Sequence, residues 1–149
     1  MKKFKFQLET LLKVTRRKKD EAEMAFAEVS RRLEEHRAQL QNLLQELQEG
    51  QAEYAGRTSE GKTITVDVIM IYTNFFNWKR EQIERQQELI LKTMQERQQK
   101  LKKLTELITY VKSIEQLKEK RLREYNAELL AEEQKFLDEI GLQLSIRKN

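Results

Sequence analysis

The sequence predicts an all-α fold, a long antiparallel two-helix coiled-coil hairpin with a longer second helix. The 149-residue chain contains no proline, so no residue removes a helical amide donor and long helices are possible. Apolar residues recur at alternating steps of four and three along two long segments, which is the pattern of coiled coils. A glycine-rich segment lies between them and predicts the turn of the hairpin.

The composition favours paired helices and excludes several classes of protein. Charged residues make up 36% of the chain and apolar residues only 38%, enough for an interface between two helices but not for a globular core. Cysteine is absent, which excludes disulfides and thiolate metal sites. The basic start lacks the apolar stretch of a secretory signal, and the longest apolar run, Val68–Tyr72, is too short to span a membrane. We therefore expect a cytoplasmic protein without a cofactor.

The first helix is predicted at about residues 4–55. Steps of four and three from Leu8 define its seam, the row of side chains that faces the other helix. The fourteen seam positions are Leu8, Leu12, Thr15, Lys19, Ala22, Phe26, Val29, Leu33, His36, Leu40, Leu43, Leu47, Gly50 and Tyr54. Ten of these positions are apolar, so the pattern extends over more than six heptads.

The second helix is predicted at about residues 66–144. The same steps give the seam Ile69, Thr73, Phe76, Arg80, Ile83, Gln87, Ile90, Met94, Arg97, Leu101, Leu104, Ile108 and Val111. Near Val111 the pattern moves by one residue to Ile114 and Leu117, and it resumes at Leu122. We interpret this as a local change of winding within one continuous helix. The whole chain, 1–149, is predicted to form a single coiled-coil domain.

The turn is predicted at about residues 56–65. It contains the P-loop spacing, in which Gly56 and Gly61 are followed by Lys62 and Thr63. A P-loop follows a β-strand, whereas a coiled-coil helix precedes this segment, so we interpret it as a hairpin turn. Thr65 is expected to cap the second helix.

The two predicted helices differ in length, so part of the second has no partner. A turn centred near Glu60 would bring Met1 opposite about Lys120. The last thirty residues would then lie unpaired, with an apolar stripe open to another molecule.

Two surfaces are candidates for partner binding. Basic residues are concentrated at 2–19 and 97–123, stretches that the hairpin would bring side by side. They could form a solvated surface or bind an acidic protein. Nucleic acid is less favoured, because no aromatic residues are interleaved with them. Near the turn, Val68, Tyr72, Phe75 and Trp78 lie one to two residues off the predicted seam, which indicates either an interaction patch or a broadened core.

No pattern predicts catalysis. His36 is the only histidine, and its place on the seam suggests a packing role. The carboxylates lie on long helices, without an apolar pocket that could raise the pKa of one of them for acid–base chemistry. We expect no enzymatic activity.

Five segments carry a resemblance to a known family along nearly the whole chain. They are Phe4-x-Phe6-x-Leu8-Glu9-x-Leu11-Leu12, Gln51-Ala-Glu53-Tyr54, Tyr72-x-x-Phe75-x7-Ile83, Leu117-x-x-x-Arg121-x-x-Glu124-Tyr125 and Glu133-Gln-Lys-x-Leu137-Asp138-Glu139-Ile140. In this order they resemble the FliJ family, small coiled-coil components of the flagellar type III export apparatus.

The resemblance implies a non-enzymatic stalk similar to the γ subunit of rotary ATPases. Its chain ends would enter the export ATPase hexamer FliI and promote ring assembly and turnover. Its turn side would bind the export gate protein FlhA, and it would also escort export chaperones. Contact with the membrane would be indirect, through the gate at the flagellar base.

The resemblance also implies which residues bind these partners. The gate-binding positions are Leu47, Tyr54 and Phe75, to which the turn-side patch adds Tyr72. The expected ring contacts combine basic residues near the chain start with the open stripe, and they are Lys13, Arg16, Arg17, Leu122, Tyr125, Leu129 and Phe136. Two other functions stay open, a holdase-like chaperone for filament subunits and a nucleic-acid-binding coiled coil.

Overall fold

The computed structural model describes residues 3–148, which form two helices, α1 (Glu9–Arg57) and α2 (Val66–Lys148), and no strand. The predicted all-α two-helix fold with a longer second helix is therefore confirmed. Two boundaries differ from the prediction: α1 begins at Glu9 rather than near residue 4, and α2 continues through Lys148 rather than ending near residue 144.

The chain divides into two compact units. The terminal unit contains residues 3–21 and 105–148, and the turn unit contains residues 22–104. Each unit contains one stretch of α1 and one stretch of α2.

In the terminal unit, a short non-helical segment and α1 pack against α2. Leu12 is fully buried, and it forms a core with Phe6, Val111 and Ile114. Burial of Phe6 in this core accounts for the late start of α1, because the chain turns at Phe6, whose carbonyl accepts a hydrogen bond from the Glu9 amide at 3.2 Å.

Cross-helix ion pairs establish the direction of packing in the terminal unit. Glu9 pairs with Lys118 at 2.8 Å, and Arg16 pairs with Glu115 at 3.1 Å. Position numbers rise along α1 as they fall along α2, so the helices are antiparallel.

The turn unit shows the same antiparallel packing. Arg32 pairs with Glu96 at 2.8 Å, and Gln86 donates a hydrogen bond to the carbonyl of His36 at 2.9 Å. The apolar core is a single row of layers, and its buried members are Ala22, Val29, Leu33, Leu43, Ile83 and Leu104.

The seam of α1 agrees with the sequence pattern at every position. None of the fourteen predicted seam residues is exposed, and Leu12, Val29 and Leu33 are among the most deeply buried.

The predicted seam of α2 is wrong at alternate positions. Ile83, Leu104 and Val111 face α1 as predicted, but the intervening seam residues lie one position earlier than expected. They are Tyr72, Lys79, Gln86, Thr93, Lys100 and Leu107, all buried or half-buried, whereas Thr73, Arg80, Gln87, Met94 and Ile108 are exposed. With this correction Val111 and Ile114 belong to one uninterrupted heptad pattern, and the predicted change of winding disappears.

The unpaired part of α2 is shorter than predicted. Arg121 lies over the ring of Phe6 at 5.9 Å, and the rings of Phe4 and Tyr125 are 5.6 Å apart. The expected position of Met1 lies outside the described residues. Leu129 is half-buried, and every described residue after it is exposed. We call residues 130–148 the C-terminal overhang.

Candidate partner-binding surfaces

Four aromatic residues pack together near the turn, and we call Tyr54, Tyr72, Phe75 and Phe76 the turn-side cluster. The ring of Tyr54 lies 5.1 Å from that of Tyr72 and 5.8 Å from that of Phe76. The predicted off-seam position of Tyr72 is therefore wrong, because its ring is half-buried in the seam. The cluster broadens the core and still leaves part of each ring accessible.

Phe75 is held against the backbone of α1 by a glycine. A Cβ atom at Gly50 would lie 2.5 Å from Cε1 of Phe75, so the ring occupies the space that any other side chain at position 50 would fill. Phe75 is half-buried, as is Leu47 one turn earlier on α1. All four predicted gate-binding residues thus lie at the partly open edge of the seam.

The surroundings of Tyr72 change the pKa of its phenol. Burial raises the pKa of Tyr72, and a hydrogen bond to Glu53 raises it further. The guanidinium of Arg57 lies 5.8 Å from the centre of the same ring. The phenol therefore stays neutral at physiological pH, and its ring presents both a face and a polar edge.

A buried lysine lies beside this cluster, and the sequence pattern did not predict it. Lys79 is only 5% exposed, pairs with Glu46, and lies 5.7 Å from the ring centre of Phe75 and 5.0 Å from that of Trp78. The sign in the sequence was its spacing, three residues after Phe76 and four before Ile83, which is a seam spacing.

Exposed apolar side chains extend the accessible surface along α2. Trp78 is 53% exposed, and Met70 and Ile71 are more exposed still. These three side chains lie on the same stretch of α2 as Tyr72, Phe75 and Phe76.

The segment with P-loop spacing is a turn, and its lysine takes part in ending α1. Lys62 donates a hydrogen bond through Nζ to the carbonyl of Gly56 at 2.8 Å, and Gly61 has a φ of 82°. Thr65 caps α2 as predicted, because its Oγ1 accepts a hydrogen bond from the amide of Val68 at 3.4 Å. A helix precedes the segment, so it lacks the strand that delivers a P-loop to phosphate.

In the terminal unit, the predicted ring-binding residues lie on α1 and on the late part of α2. Lys13, Arg16 and Arg17 are exposed, and Arg16 is paired with Glu115. The α2 residues differ in exposure: Tyr125 and Leu129 are half-buried, whereas Leu122 is 40% and Phe136 is 63% exposed.

An open groove of about 1170 Å³ lies between the non-helical segment and α2 in this unit. Its apolar lining residues are Phe4, Tyr125 and Leu129. The charged residues along it are Lys3, Lys5, Arg121, Glu124, Glu128 and Glu132.

Residues 3–148 contain no group of three or more histidine, aspartate or glutamate side chains that could hold a metal ion. In the same range no helix combines the length and apolar character needed to cross a membrane.

The comparisons with known proteins identify the family. A family model described as "Flagellar FliJ protein" matches residues 4–149. The chain belongs to the FliJ family. No curated protein and no solved structure matches the chain. Membership in the FliJ family makes the protein a component of the flagellar export apparatus, and the family is non-catalytic.

Proposed function

We propose that this FliJ-family chain is a stalk and adaptor of the flagellar export ATPase. It promotes assembly and turnover of the FliI hexamer, and it links that ring to the export gate protein FlhA and to export chaperones. It works on the cytoplasmic side of the flagellar base and contacts the membrane only through the gate.

The observation that carries the proposal is the C-terminal overhang. Nineteen consecutive helical residues, 130–148, are all exposed, and among them Phe136 is 63% exposed. A single helix with large exposed apolar side chains is suited to insertion into a partner's cavity, where its apolar surface becomes buried.

Basic residues of the terminal unit also support the proposed contact with the ATPase ring. Lys13 and Arg17 are exposed on α1 of the terminal unit. Exposed basic side chains steer association with an acidic partner and affect the association rate more than the final affinity. We therefore assign them the approach to the ring, and we assign Leu122, Tyr125, Leu129 and Phe136 the apolar contact.

The turn-side cluster supports the contact with the gate. Tyr54, Tyr72 and Phe75 are half-buried aromatic residues held in fixed positions by packing. Rigid aromatic side chains at a partly exposed seam lose little conformational entropy on binding, and such residues often dominate protein interfaces.

Removal of the overhang tests the assignment to the ATPase. A chain that ends at Leu129 should keep its helical hairpin, because residues 130–148, which it lacks, are all exposed. It should stimulate the purified export ATPase much less than the full chain, because it lacks the overhang with Phe136 and keeps only Leu122, Tyr125 and Leu129 of the assigned apolar contacts. Circular dichroism checks the fold in parallel. Full stimulation by the shortened chain would refute the proposal.

A further inference from the structure

The C-terminal overhang carries a heptad pattern of its own. Leu130, Leu137 and Leu144 are spaced seven apart, and the intervening positions of the same stripe are Glu133, Ile140 and Arg147. The three leucines are between 53% and 65% exposed, and Ile140 is 37% exposed. We call these six residues the overhang stripe. A stripe of this periodicity is the surface of a coiled-coil helix that faces a second helix.

The overhang stripe does not continue the seam that α2 shares with α1. Continued beyond Tyr125 at the same spacing, that seam passes through Glu128, Glu132, Lys135 and Glu139, which are charged and exposed. Leu130 lies five residues after Tyr125, which is about 140° around the helix. The partner of the stripe therefore lies on a different side of α2 from α1.

We propose that the overhang stripe pairs antiparallel with the same stripe of a second copy of this chain. The choice of an antiparallel orientation rests on the two charged positions of the stripe, Glu133 and Arg147. A parallel pair in register would bring Glu133 against Glu133 and Arg147 against Arg147, both repulsive. An antiparallel pair that crosses between Leu137 and Ile140 places Glu133 opposite Leu144 of the other copy, and Arg147 opposite Leu130. Glu133 and Arg147 then lie in neighbouring layers, about 4.5 Å apart along the helix axis, where their opposite charges attract. The apolar residues then pack in the middle, and the interface is two-fold symmetric.

The size of the stripe sets the strength of this dimer. The overhang has nineteen residues, fewer than three heptads, and four of its six stripe positions are apolar. Short helical pairs of this kind are marginal in water, so the dimer is weak and depends on concentration.

The proposal is separate from the assignment to the ATPase. Leu129 and Phe136, assigned above to the ring, each precede a stripe leucine by one position, which is about 100° around the helix. The two surfaces share one helix, but they consist of different residues.

Sedimentation equilibrium of the full chain tests self-association. Between about 5 and 500 μM we expect a reversible monomer–dimer equilibrium. The double variant Leu137→Gln/Leu144→Gln should raise the dimer dissociation constant more than about a hundredfold, because each dimer loses four apolar contacts. The matched control is Leu142→Gln/Ile146→Gln, which removes two side chains that are 63% and 66% exposed but lie off the stripe. The control should dimerise like the unchanged chain.

Charge exchange tests the orientation. In an antiparallel dimer, Glu133→Arg or Arg147→Glu alone should each weaken the dimer about tenfold at low salt, because opposite charges become like charges at two places. The double variant Glu133→Arg/Arg147→Glu should restore dimerisation. In a parallel dimer, all of these variants would retain like-charge contacts, and the double exchange would restore nothing.

Three outcomes would overturn the inference. They are a monomer at every concentration, a dimer that survives Leu137→Gln/Leu144→Gln, and a double charge exchange without recovery. Stimulation of the ATPase by the same leucine variants is measured separately, so failure of the dimer and failure of the stalk assignment give different results.

Discussion

At the scale of single residues, Gly50 and Phe75 pack closely against each other between the helices of the turn unit. A Cβ atom at position 50 would lie only 2.5 Å from the nearest atom of the Phe75 ring. Gly56, in the same helix, has no atom within 4 Å of its would-be Cβ. Alanine substitutions at these two glycines therefore separate the effect of packing on stability from the effect of helix propensity.

Gly50→Ala should lower the free energy of unfolding by about 1–3 kcal/mol, because the added methyl group displaces the ring of Phe75. The matched variant Gly56→Ala should raise it by about 0.5–1 kcal/mol, because alanine favours the helix and nothing obstructs its side chain. Urea denaturation measures both. Equal stabilisation by the two variants would mean that Phe75 does not need the space at Gly50.

Glu9 provides a residue-scale test of pH dependence. The hydrogen bond from Lys118 holds the pKa of Glu9 below its ordinary value. A carboxyl whose pKa is lower in the folded state stabilises the fold above its unfolded pKa, and this contribution is lost as the pH falls through the folded pKa. Glu9→Gln should therefore lower the thermal midpoint at about pH 7 but not at about pH 3.

The control for this measurement is Glu23→Gln, at an exposed position of α1 that forms no ion pair with another described residue. Its thermal midpoint should follow that of the unchanged chain at both pH values. A Glu9→Gln midpoint that stays lower at acidic pH would assign the loss to packing rather than to charge.

At the scale of whole elements, the apolar pattern predicted the buried face of α1 better than that of α2. In α1 ten of the fourteen seam positions are apolar, so the pattern alone identified its buried face. In α2 the seam includes Lys79, Gln86 and Thr93, whereas Met94 and Ile108 lie just outside it. The apolar pattern therefore favoured a seam shifted by one residue at alternate positions.

The sequence pattern also did not predict which residues of the two helices face each other. Periodicity identifies the face of each helix but not the residue opposite, so the sequence misplaced the start of the overhang by about ten residues. The late start of α1 was missed for a similar reason, because burial of Phe6 depends on Val111 and Ile114, which are distant in sequence. Of the predicted surface residues, Tyr72 and Phe75 were located near the turn correctly, and their half-buried rings agree with the alternative of a broadened core.

Lys79 shows what a polar residue in the seam of α2 costs. Its side chain is 6% exposed and that of Glu46 is 51% exposed, so most of the desolvation falls on the ammonium. Buried ion pairs are often no better for stability than apolar side chains of similar size, whereas removal of one partner is destabilising. Such a layer can instead specify which residues face each other.

Lys79→Leu should leave the free energy of unfolding unchanged or raise it by about 1 kcal/mol or more. Glu46→Gln should lower it by about 1–3 kcal/mol, because the buried ammonium loses its counter-charge. The double variant should return to the level of Lys79→Leu, and chemical denaturation of all four chains completes the cycle. Greater loss from Lys79→Leu than from Glu46→Gln would show that attraction to Glu46 exceeds the desolvation cost.

At the scale of the whole molecule, the two units carry different kinds of surface. The turn unit presents aromatic side chains held in place by packing, whereas the terminal unit presents basic residues and an unpaired helix. A chain with these two surfaces can engage two partners through separate residues, as the proposed adaptor function requires. Substitutions in one unit should therefore affect one partner and spare the other.

The double variant Tyr54→Ala/Phe75→Ala should weaken binding to the cytoplasmic domain of the gate protein by about thirtyfold, because truncation of two aromatic anchors commonly costs about 2 kcal/mol or more. Stimulation of the export ATPase should persist, because its assigned residues lie in the terminal unit. Isothermal titration with the gate domain and an ATPase assay measure the two effects.

The control must account for packing, since the ring of Tyr54 contacts those of Tyr72 and Phe76. Val29→Ala/Ile90→Ala removes two seam side chains of the same unit outside the turn-side cluster, so it lowers stability without touching the proposed surface. With both variants measured at a temperature where circular dichroism shows them folded, the control should bind the gate normally. Equal loss of gate binding in the control would assign the effect to the fold, and unchanged binding in Tyr54→Ala/Phe75→Ala would mean that the turn-side cluster is core and that the gate binds elsewhere.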